Sequence, residues 1–237
     1  IAASAQGSVP SDTFMSLDAT HALSMDDLPD VAVIVGTRHI VTAIRNNPDI
    51  VAWARAAAPR LQRMIALCSG SFFLAEAGVL DGRPATTHWS VASLLEKSYP
   101  QVRLNADAIF IRHENLWTSA GVTAGIDLAL AVVEDDLGRD VALEVARELV
   151  VYLKRPGGQS QFSLHLASQT TSHPGIRQVQ EWVLAQPAHP HAVPELAARA
   201  AMSDRNFRRV FVKEAGQSPM AFVESARLEA ARRQLEG

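Results

Sequence analysis

The stretch MIALCSGSFFLAEAG, residues 64–78, contains the only cysteine of the 237-residue chain. An apolar run at 64–67 ends at Cys68, and small residues at 69–71 lead into a helical pattern from Phe72. Several hydrolase folds present a catalytic side chain at such a corner, where a strand turns sharply into a helix. The stretch therefore predicts a strand–turn–helix unit and raises the question of whether the Cys68 thiol is catalytic.

Strand-like and helix-like segments alternate through the first two thirds of the chain. VAVIVG (31–36) is a short β-branched run closed by glycine, which is typical of a buried strand. Residues 106–121 predict two strands around a turn near 113–115. Helices are predicted at 49–61, 71–80, 90–100, 124–138 and 139–155. This order favours an α/β sandwich around a mostly parallel sheet.

Composition bounds the class of protein. The net charge of −3 gives no global basic field, so any contact with nucleic acid must come from a local patch. The single cysteine excludes an internal disulfide and fits a reducing compartment. No apolar run approaches the ~20 residues that span a bilayer, and the first residues lack Met and a signal pattern. We expect a cytoplasmic protein without membrane contact whose true beginning precedes Ile1.

The character of the chain changes after the last of these segments. Residues 156–175, PGGQSQFSLHLASQTTSHPG, are rich in Pro, Gly, Ser, Thr and Gln and show no sustained period. All that follows has a helical pattern. We therefore predict an α/β domain over 1–158, a linker over 159–175 and a small all-α domain over 176–237.

The predicted all-α domain contains a short helix, a tight turn and a second helix. The first helix spans 195–200, AAMS (200–203) forms the turn, and Ser203 is suited to cap the next helix. The second helix has an apolar face and a separate basic face, made respectively by Phe207, Val210 and Phe211 and by Arg205, Arg208 and Arg209. This order is that of a helix-turn-helix. A helical bundle with solvated arginines explains the same periodicity equally well.

Residues 196–235, LAARAAMSDRNFRRVFVKEAGQSPMAFVESARLEAARRQL, closely resemble the first helix-turn-helix of AraC/XylS-type transcriptional regulators. The resemblance implies a homodimer that binds DNA, with a recognition helix over 203–214. The residues expected to contact DNA are Ser203, Arg205, Asn206, Arg208 and Arg209. Arginine suits this role because its fork can bond guanine O6 and N7 together. The family carries two such motifs and this chain holds one, so we expect it to bind DNA weakly by itself.

Three stretches between residues 64 and 162 resemble the PfpI-type, class I glutamine-amidotransferase-like superfamily, and more narrowly its branch fused to AraC-type domains. They are IALCSGSFFLAEAGVLDGRPATTHW, LWTSAGVTAGIDLALAVVEDDLG and VVYLKRPGGQSQF. The resemblance implies a flavodoxin-like layered fold, a first strand and helix that precede Ile1, and a sensor role. It further suggests that the effector is a nitrogenous metabolite such as an amino acid or a quaternary amine.

Open α/β sheets bind ligands in the crevice at the carboxyl ends of their strands. The residues that we expect to line a small-molecule site there are Gly36, Thr37, Cys68, Ser69, His88 and Gly121. We predict neither a metal nor a cofactor. A helix N-terminus favours the thiolate form of Cys68.

Catalysis by Cys68 needs a base within reach. The segment TSAGVTAG (118–125) offers no histidine, and His88 is the nearest candidate along the chain. His88 can instead bond the backbone near Trp89, and Cys68 can be an inert buried thiol, a residue of the ligand pocket or a redox sensor. Relatives with a similar TTHW stretch include isonitrile hydratases. We expect a regulator without catalytic residues, with an isonitrile hydratase or amidase-like enzyme as the alternative.

Overall fold

A computed structural model of the protein describes residues 1–11, 15–153, 158–159 and 171–236, without the side chains of 232–236. The chain divides into two compact units, Ile1–Arg155 and Pro156–Gly237. Residues 160–170, most of the predicted linker, lie outside the described residues. None of the helices within the described ranges is long and apolar enough to cross a membrane.

The first unit is built from short strands and six helices in the described part of the chain. The strands are β1 (Ala2–Ala3), β2 (Gly7–Pro10), β3 (Ser16–Ala19), β4 (His21–Ala22), β5 (Val31–Ile34), β6 (Arg63–Leu67), β7 (Pro84–Ala85), β8 (Arg103–Leu104), β9 (Phe110–His113) and β10 (Leu116–Ser119). The helices are α1 (Ile40–Asn46), α2 (Pro48–Ala57), α3 (Ser71–Glu76), α4 (Trp89–Ser98), α5 (Ala124–Leu137) and α6 (Arg139–Glu148).

Four of these strands form the central sheet, in the order β5-β6-β10-β9. Strand β6 pairs in parallel with β5 and with β10, whereas β9 and β10 form the predicted antiparallel hairpin. Along β6, Met64 and Ala66 pack into one apolar cluster, while Ile65 joins Trp117 in another. Both faces of β6 are therefore covered, and the predicted α/β sandwich with a mostly parallel sheet is confirmed. Strand β5 lies at the edge of the sheet and Val33 is 50% exposed, which corrects the prediction of a buried strand at 31–36.

Two predicted helices end earlier than expected, and in both a residue in the left-handed region follows two positions after the last helical residue. Helix α3 stops at Glu76 rather than 80, because Gly78 has φ +72° and Val79 N bonds Leu74 O at 2.9 Å. Helix α6 stops at Glu148, because Val150 has φ +55° and Val151 N bonds Ala146 O at 3.0 Å. These are Schellman endings. Periodicity could not reveal the second, since a β-branched residue rarely adopts positive φ.

The second unit is helical in its described residues: α7 (Pro174–Ala185), α8 (Val193–Arg199), α9 (Asp204–Ala215) and α10 (Pro219–Glu236). Phe207 and Phe211 of α9 are buried against Phe222 of α10, so the predicted apolar face of the second helix is confirmed. Helix α8 ends in a Schellman motif with Ala201 at φ +54°. The turn that follows α8 is the one that the AAMS stretch predicted.

Candidate functional site

The carboxyl ends of three parallel strands meet at one edge of the central sheet. Ile34 of β5 pairs with Ala66 of β6, and Leu67 of β6 pairs with Ser119 of β10. The residues that directly follow these strands therefore lie side by side, and they include Gly36, Cys68 and Gly121. This edge is where open α/β sheets bind their ligands.

Ser69 ties the loop after β5 to the turn after β6. Its Oγ accepts a hydrogen bond from Thr37 N at 2.9 Å and donates one to Thr37 O at 2.8 Å. Gly36 lies so close that a Cβ added there would stand 2.6 Å from Ser69 Oγ. Gly36, Thr37 and Ser69 are thus in contact, and Ser69 positions the loop rather than offering a free hydroxyl.

Cys68 occupies the corner between β6 and α3. It has φ +57°, a region that costs a non-glycine residue about 1–3 kcal/mol. The chain turns there through a single 3-10 turn, Cys68–Gly70, before α3 begins. The Cys68 carbonyl accepts hydrogen bonds from Ser71 Oγ at 3.2 Å and Thr87 Oγ1 at 3.1 Å, which hold the strained corner in place.

The electrostatics of Cys68 oppose the sequence-based expectation of a favoured thiolate. Burial raises the pKa of the half-buried Cys68 thiol above its ordinary value, and hydrogen bonds from Ser69 offset only part of this effect. The residues after Cys68 form a 3-10 turn and a six-residue helix rather than one long helix, so their dipole is small. The thiol form is therefore the stable one near neutral pH.

His88 caps helix α4 and faces the same edge of the sheet. Its Nδ1 accepts from Ser90 N at 3.3 Å and lies 2.6 Å from Ser90 Oγ. On its other side, a Cβ added at Gly121 would stand 2.8 Å from His88 Cδ2. Burial lowers the pKa of His88, which favours the neutral ring. Among the described contacts, the polar partners of this ring belong to Ser90 and not to Cys68.

Sequence reasoning missed the threonines that place His88. Thr86 N donates to Thr118 Oγ1 of β10 at 2.9 Å, and Thr86 Oγ1 donates to Ala108 O at 3.0 Å. With the bond from Thr87 to Cys68 O, these contacts fix the two residues that precede His88. The signal was the TT pair of TTHW, since buried hydroxyls need partners.

A cavity among the described residues lies beside β5 and does not include the six residues of this edge. It measures about 750 Å³ and is lined by the first residues of the chain, by residues 31–35 of β5 and its end, and by Trp53 and Phe73. None of the six residues expected to line a ligand site borders this cavity. A smaller one of about 250 Å³ lies beside Thr123 and Val150, just beyond Gly121. The six residues lie at the carboxyl edge of the sheet, and neither of these two cavities includes them.

The second unit presents the basic face expected for a nucleic-acid interface. The residues expected to contact DNA are all exposed on or next to α9, namely Ser203, Arg205, Asn206, Arg208 and Arg209. Arg209 Nη2 donates to Asn206 Oδ1 at 2.9 Å, so these two side chains support each other. Ser203 holds the predicted N-cap position of α9, and its side chain makes no capping hydrogen bond there.

No group of three or more metal-ligating side chains lies together within the described ranges. The geometry thus defines an α/β sandwich with a strained cysteine corner, joined to a helix-turn-helix unit. A model of the DJ-1/PfpI family matches residues 3–135, more than half of the chain. The chain belongs to the DJ-1/PfpI family.

Relatives with regulatory names match both units. The HTH-type transcriptional regulator CdhR of Pseudomonas aeruginosa is 30% identical over 97% of this chain and 67% of its own length. The crystal structure of an AraC family transcriptional regulator from Pseudomonas putida superposes with a TM-score of 0.53 at 25% identity, over 62% of this chain and 78% of that chain. An isonitrile hydratase of Pseudomonas putida is 31% identical over 60% of this chain and 61% of its own length.

The chain spans 51% to 67% of the length of the Pseudomonas aeruginosa regulators that it matches. The match to CdhR runs through both compact units, whereas the match to the hydratase covers about the length of the first unit alone. The comparisons therefore favour a transcriptional regulator over an enzyme.

Proposed function

We propose that this protein is a transcriptional regulator that acts in the cytoplasm, reads DNA with α9 and responds to a small molecule bound by its DJ-1/PfpI unit. The observation that carries the proposal is the exposed arginine face of α9, presented by a helix-turn-helix whose opposite face is buried through Phe207 and Phe211. The major groove admits an α-helix of this kind, and arginine forks bond guanine there.

A regulator of this kind acts as a homodimer, since two copies can place two α9 helices on half-sites one helical turn apart. In this proposal the dimer has two arrangements with different affinities for DNA. Effector binding shifts the balance between them only if the two arrangements bind the effector with different affinities. The carboxyl edge with Cys68, His88 and Gly121 is the proposed effector site, and a nitrogenous metabolite is the class of effector that we would screen first.

The DNA-binding proposal is tested by selecting duplexes from a random library with the full chain and measuring the selected sequence by fluorescence anisotropy at fixed salt. Arg208→Ala should relax the preference at one base pair, because a bidentate contact to guanine is worth roughly 1–3 kcal/mol of discrimination. Arg232→Ala removes the same charge from α10 and should leave the preference unchanged. Loss of preference in both variants, or in neither, would contradict the assignment of α9.

An enzyme is the second candidate, favoured by the strained corner at Cys68 and by the similarity to an isonitrile hydratase. The raised pKa of the thiol and the partnership of His88 with Ser90 oppose it. We expect no hydration of an alkyl isonitrile and no amide hydrolysis above background. Turnover that disappears in Cys68→Ala would decide for the enzyme.

A further inference from the structure

Residues 171–175 lead into α7 and include its first two residues, and this entry segment makes contact with the helix-turn-helix at two separate places. The first contact is with Glu214 in the last turn of α9. Glu214 Oε2 accepts hydrogen bonds from Ser172 Oγ at 2.8 Å, Ser172 N at 2.9 Å and His173 N at 3.2 Å. These partners are 41 and 42 residues away along the chain.

The second contact lies before the other end of α9. A Cβ added at Gly175 would stand 2.9 Å from the carbonyl oxygen of Ala200, in the turn between α8 and α9. The entry segment is also fixed to α7, because Thr171 Oγ1 donates to Gln180 Oε1 at 2.7 Å and both residues are buried. Contacts near both ends of a helix determine the direction of its axis as well as its position.

Neither the dipole of α9 nor the binding of DNA favours an acidic residue at position 214. An anion in the last turn of a helix is disfavoured by the helix dipole, and a negative charge opposes the approach of DNA phosphates. The entry segment offsets this unfavourable charge by donating three hydrogen bonds to the Glu214 carboxylate. The carboxylate also lies beside the N-terminal end of α7, where the helix dipole favours an anion. The same hydrogen bonds lower the pKa of Glu214, so its carboxylate is ionised in this contact.

We propose that Glu214 is a positioning residue that fixes the orientation of α9 against the entry segment, so that displacement of residues 171–173 changes sequence-specific DNA binding. The inference rests on the proposed function of α9 as the reading helix. It assigns the junction between the entry segment and α9 as the place where a change upstream in the chain reaches the DNA interface.

The variant Glu214→Ala in the full chain separates positioning from charge, because the two effects have opposite signs. Removal of a negative charge alone raises affinity for every duplex. Loss of positioning lowers the ratio of affinities for the selected duplex and a scrambled duplex, by roughly fivefold if this exposed contact is worth one ordinary hydrogen bond. Glu224→Ala is the matched control, since it removes the same charge from an exposed position on α10.

Ser172→Ala provides a milder second variant that removes one donor and keeps the carboxylate. We expect it to lower the same ratio by a smaller factor and to add nothing in the Glu214→Ala background, because both changes break one contact. Hydrogen exchange of peptides over 171–176 and 204–215 should rise roughly fivefold in Glu214→Ala and stay at the wild-type rate in Glu224→Ala.

The proposal is overturned if Glu214→Ala and Glu224→Ala give the same affinity ratio, or if the effects of Ser172→Ala and Glu214→Ala add fully. A wild-type chain without sequence preference would instead refute the function of α9 and the consequence for specificity. In that event hydrogen exchange over 204–215 still decides whether Glu214 holds the helix, with equal rates in both variants refuting it.

Discussion

The ring of His88 lies directly against the backbone of Gly121, with Cδ2 2.8 Å from where a Cβ of residue 121 would stand. This approach joins the cap of α4 to the end of β10 and closes one side of the proposed effector site. Gly121→Ala should therefore force the ring away and lower the free energy of unfolding by about 1–3 kcal/mol, as overpacking does.

Gly125→Ala is the matched control for this change. A Cβ there would lie 3.7 Å from Leu67 Cδ2, an ordinary contact, and position 125 is in helix α5. We expect stability equal to the wild type or higher by up to about 1 kcal/mol. Urea unfolding followed by circular dichroism measures both variants, and equal stability of the two would show that the contact between His88 and Gly121 is not tight.

Because the pKa of Cys68 is raised, we expect the free energy of unfolding to depend on pH in the alkaline range. Above the pKa of an unfolded cysteine, about 8.5, the unfolded chain releases a proton that the folded protein retains. The stabilising contribution is thus complete below that pH and is lost as pH rises from there through the raised pKa of the folded protein. The free energy of unfolding of the wild type should fall with pH relative to Cys68→Ala between about pH 8 and 10.

Urea titrations of both proteins at several pH values measure this difference. Tyr99, whose pKa is also raised by burial, is present in both and cancels in the comparison. We also expect Cys68 to be alkylated more slowly at pH 7 than a free cysteine, because less of it is thiolate. A difference that grows with pH in favour of the wild type would mean that the folded protein favours the thiolate.

The turn between α8 and α9 carries an alanine where a glycine would be less strained. Ala201 has φ +54°, which costs an L-residue roughly 1–2 kcal/mol. Ala201→Gly should raise the stability of the second unit by about 0.5–1 kcal/mol after the entropic cost of glycine. Ala198→Gly, at an exposed position inside α8, should lower it by about 1 kcal/mol. Hydrogen exchange over 193–215 reports both, and destabilisation by Ala201→Gly would refute the assigned turn.

Limited proteolysis tests the linker predicted over 159–175, of which residues 171–175 are the entry segment that contacts α7 and α9. This segment contains no Lys or Arg but includes Phe162, Leu164 and Leu166, so chymotrypsin is the suitable enzyme. We expect early cleavage there, which would release a stable fragment with the Ile1–Arg155 unit, because linkers expose backbone to proteases. Replacement of the three apolar residues by serine should remove the cleavage. Early cleavage inside either compact unit instead would contradict the division.

The sequence was enough for the elements whose cause is local. The β-branched run at 31–36, the strand before Cys68 and the Phe207 and Phe211 face each follow from a short periodic pattern, and each is present in the structure. The corner at Cys68 was predictable because small residues interrupt two periodic segments.

Local sequence patterns did not predict the long-range contacts. The reciprocal bonds between Ser69 and Thr37 and the clamp of Glu214 on Ser172 join residues more than thirty positions apart. The early end of α6 depends on Val150 at positive φ, a conformation that no local pattern announces. The raised pKa of Cys68 was missed because it depends on burial at the corner, which periodicity does not report.

Whether α9 reads DNA sequence is tested most directly by the sequence preference of the chain with Arg205, Arg208 and Arg209 all replaced by alanine. Circular dichroism should show an intact fold, since all three side chains are exposed. Fluorescence anisotropy at fixed salt should then show equal affinities for the selected and scrambled duplexes. A triple variant that keeps the wild-type preference would contradict this role of α9 and leave the second unit as a packing or dimerisation module.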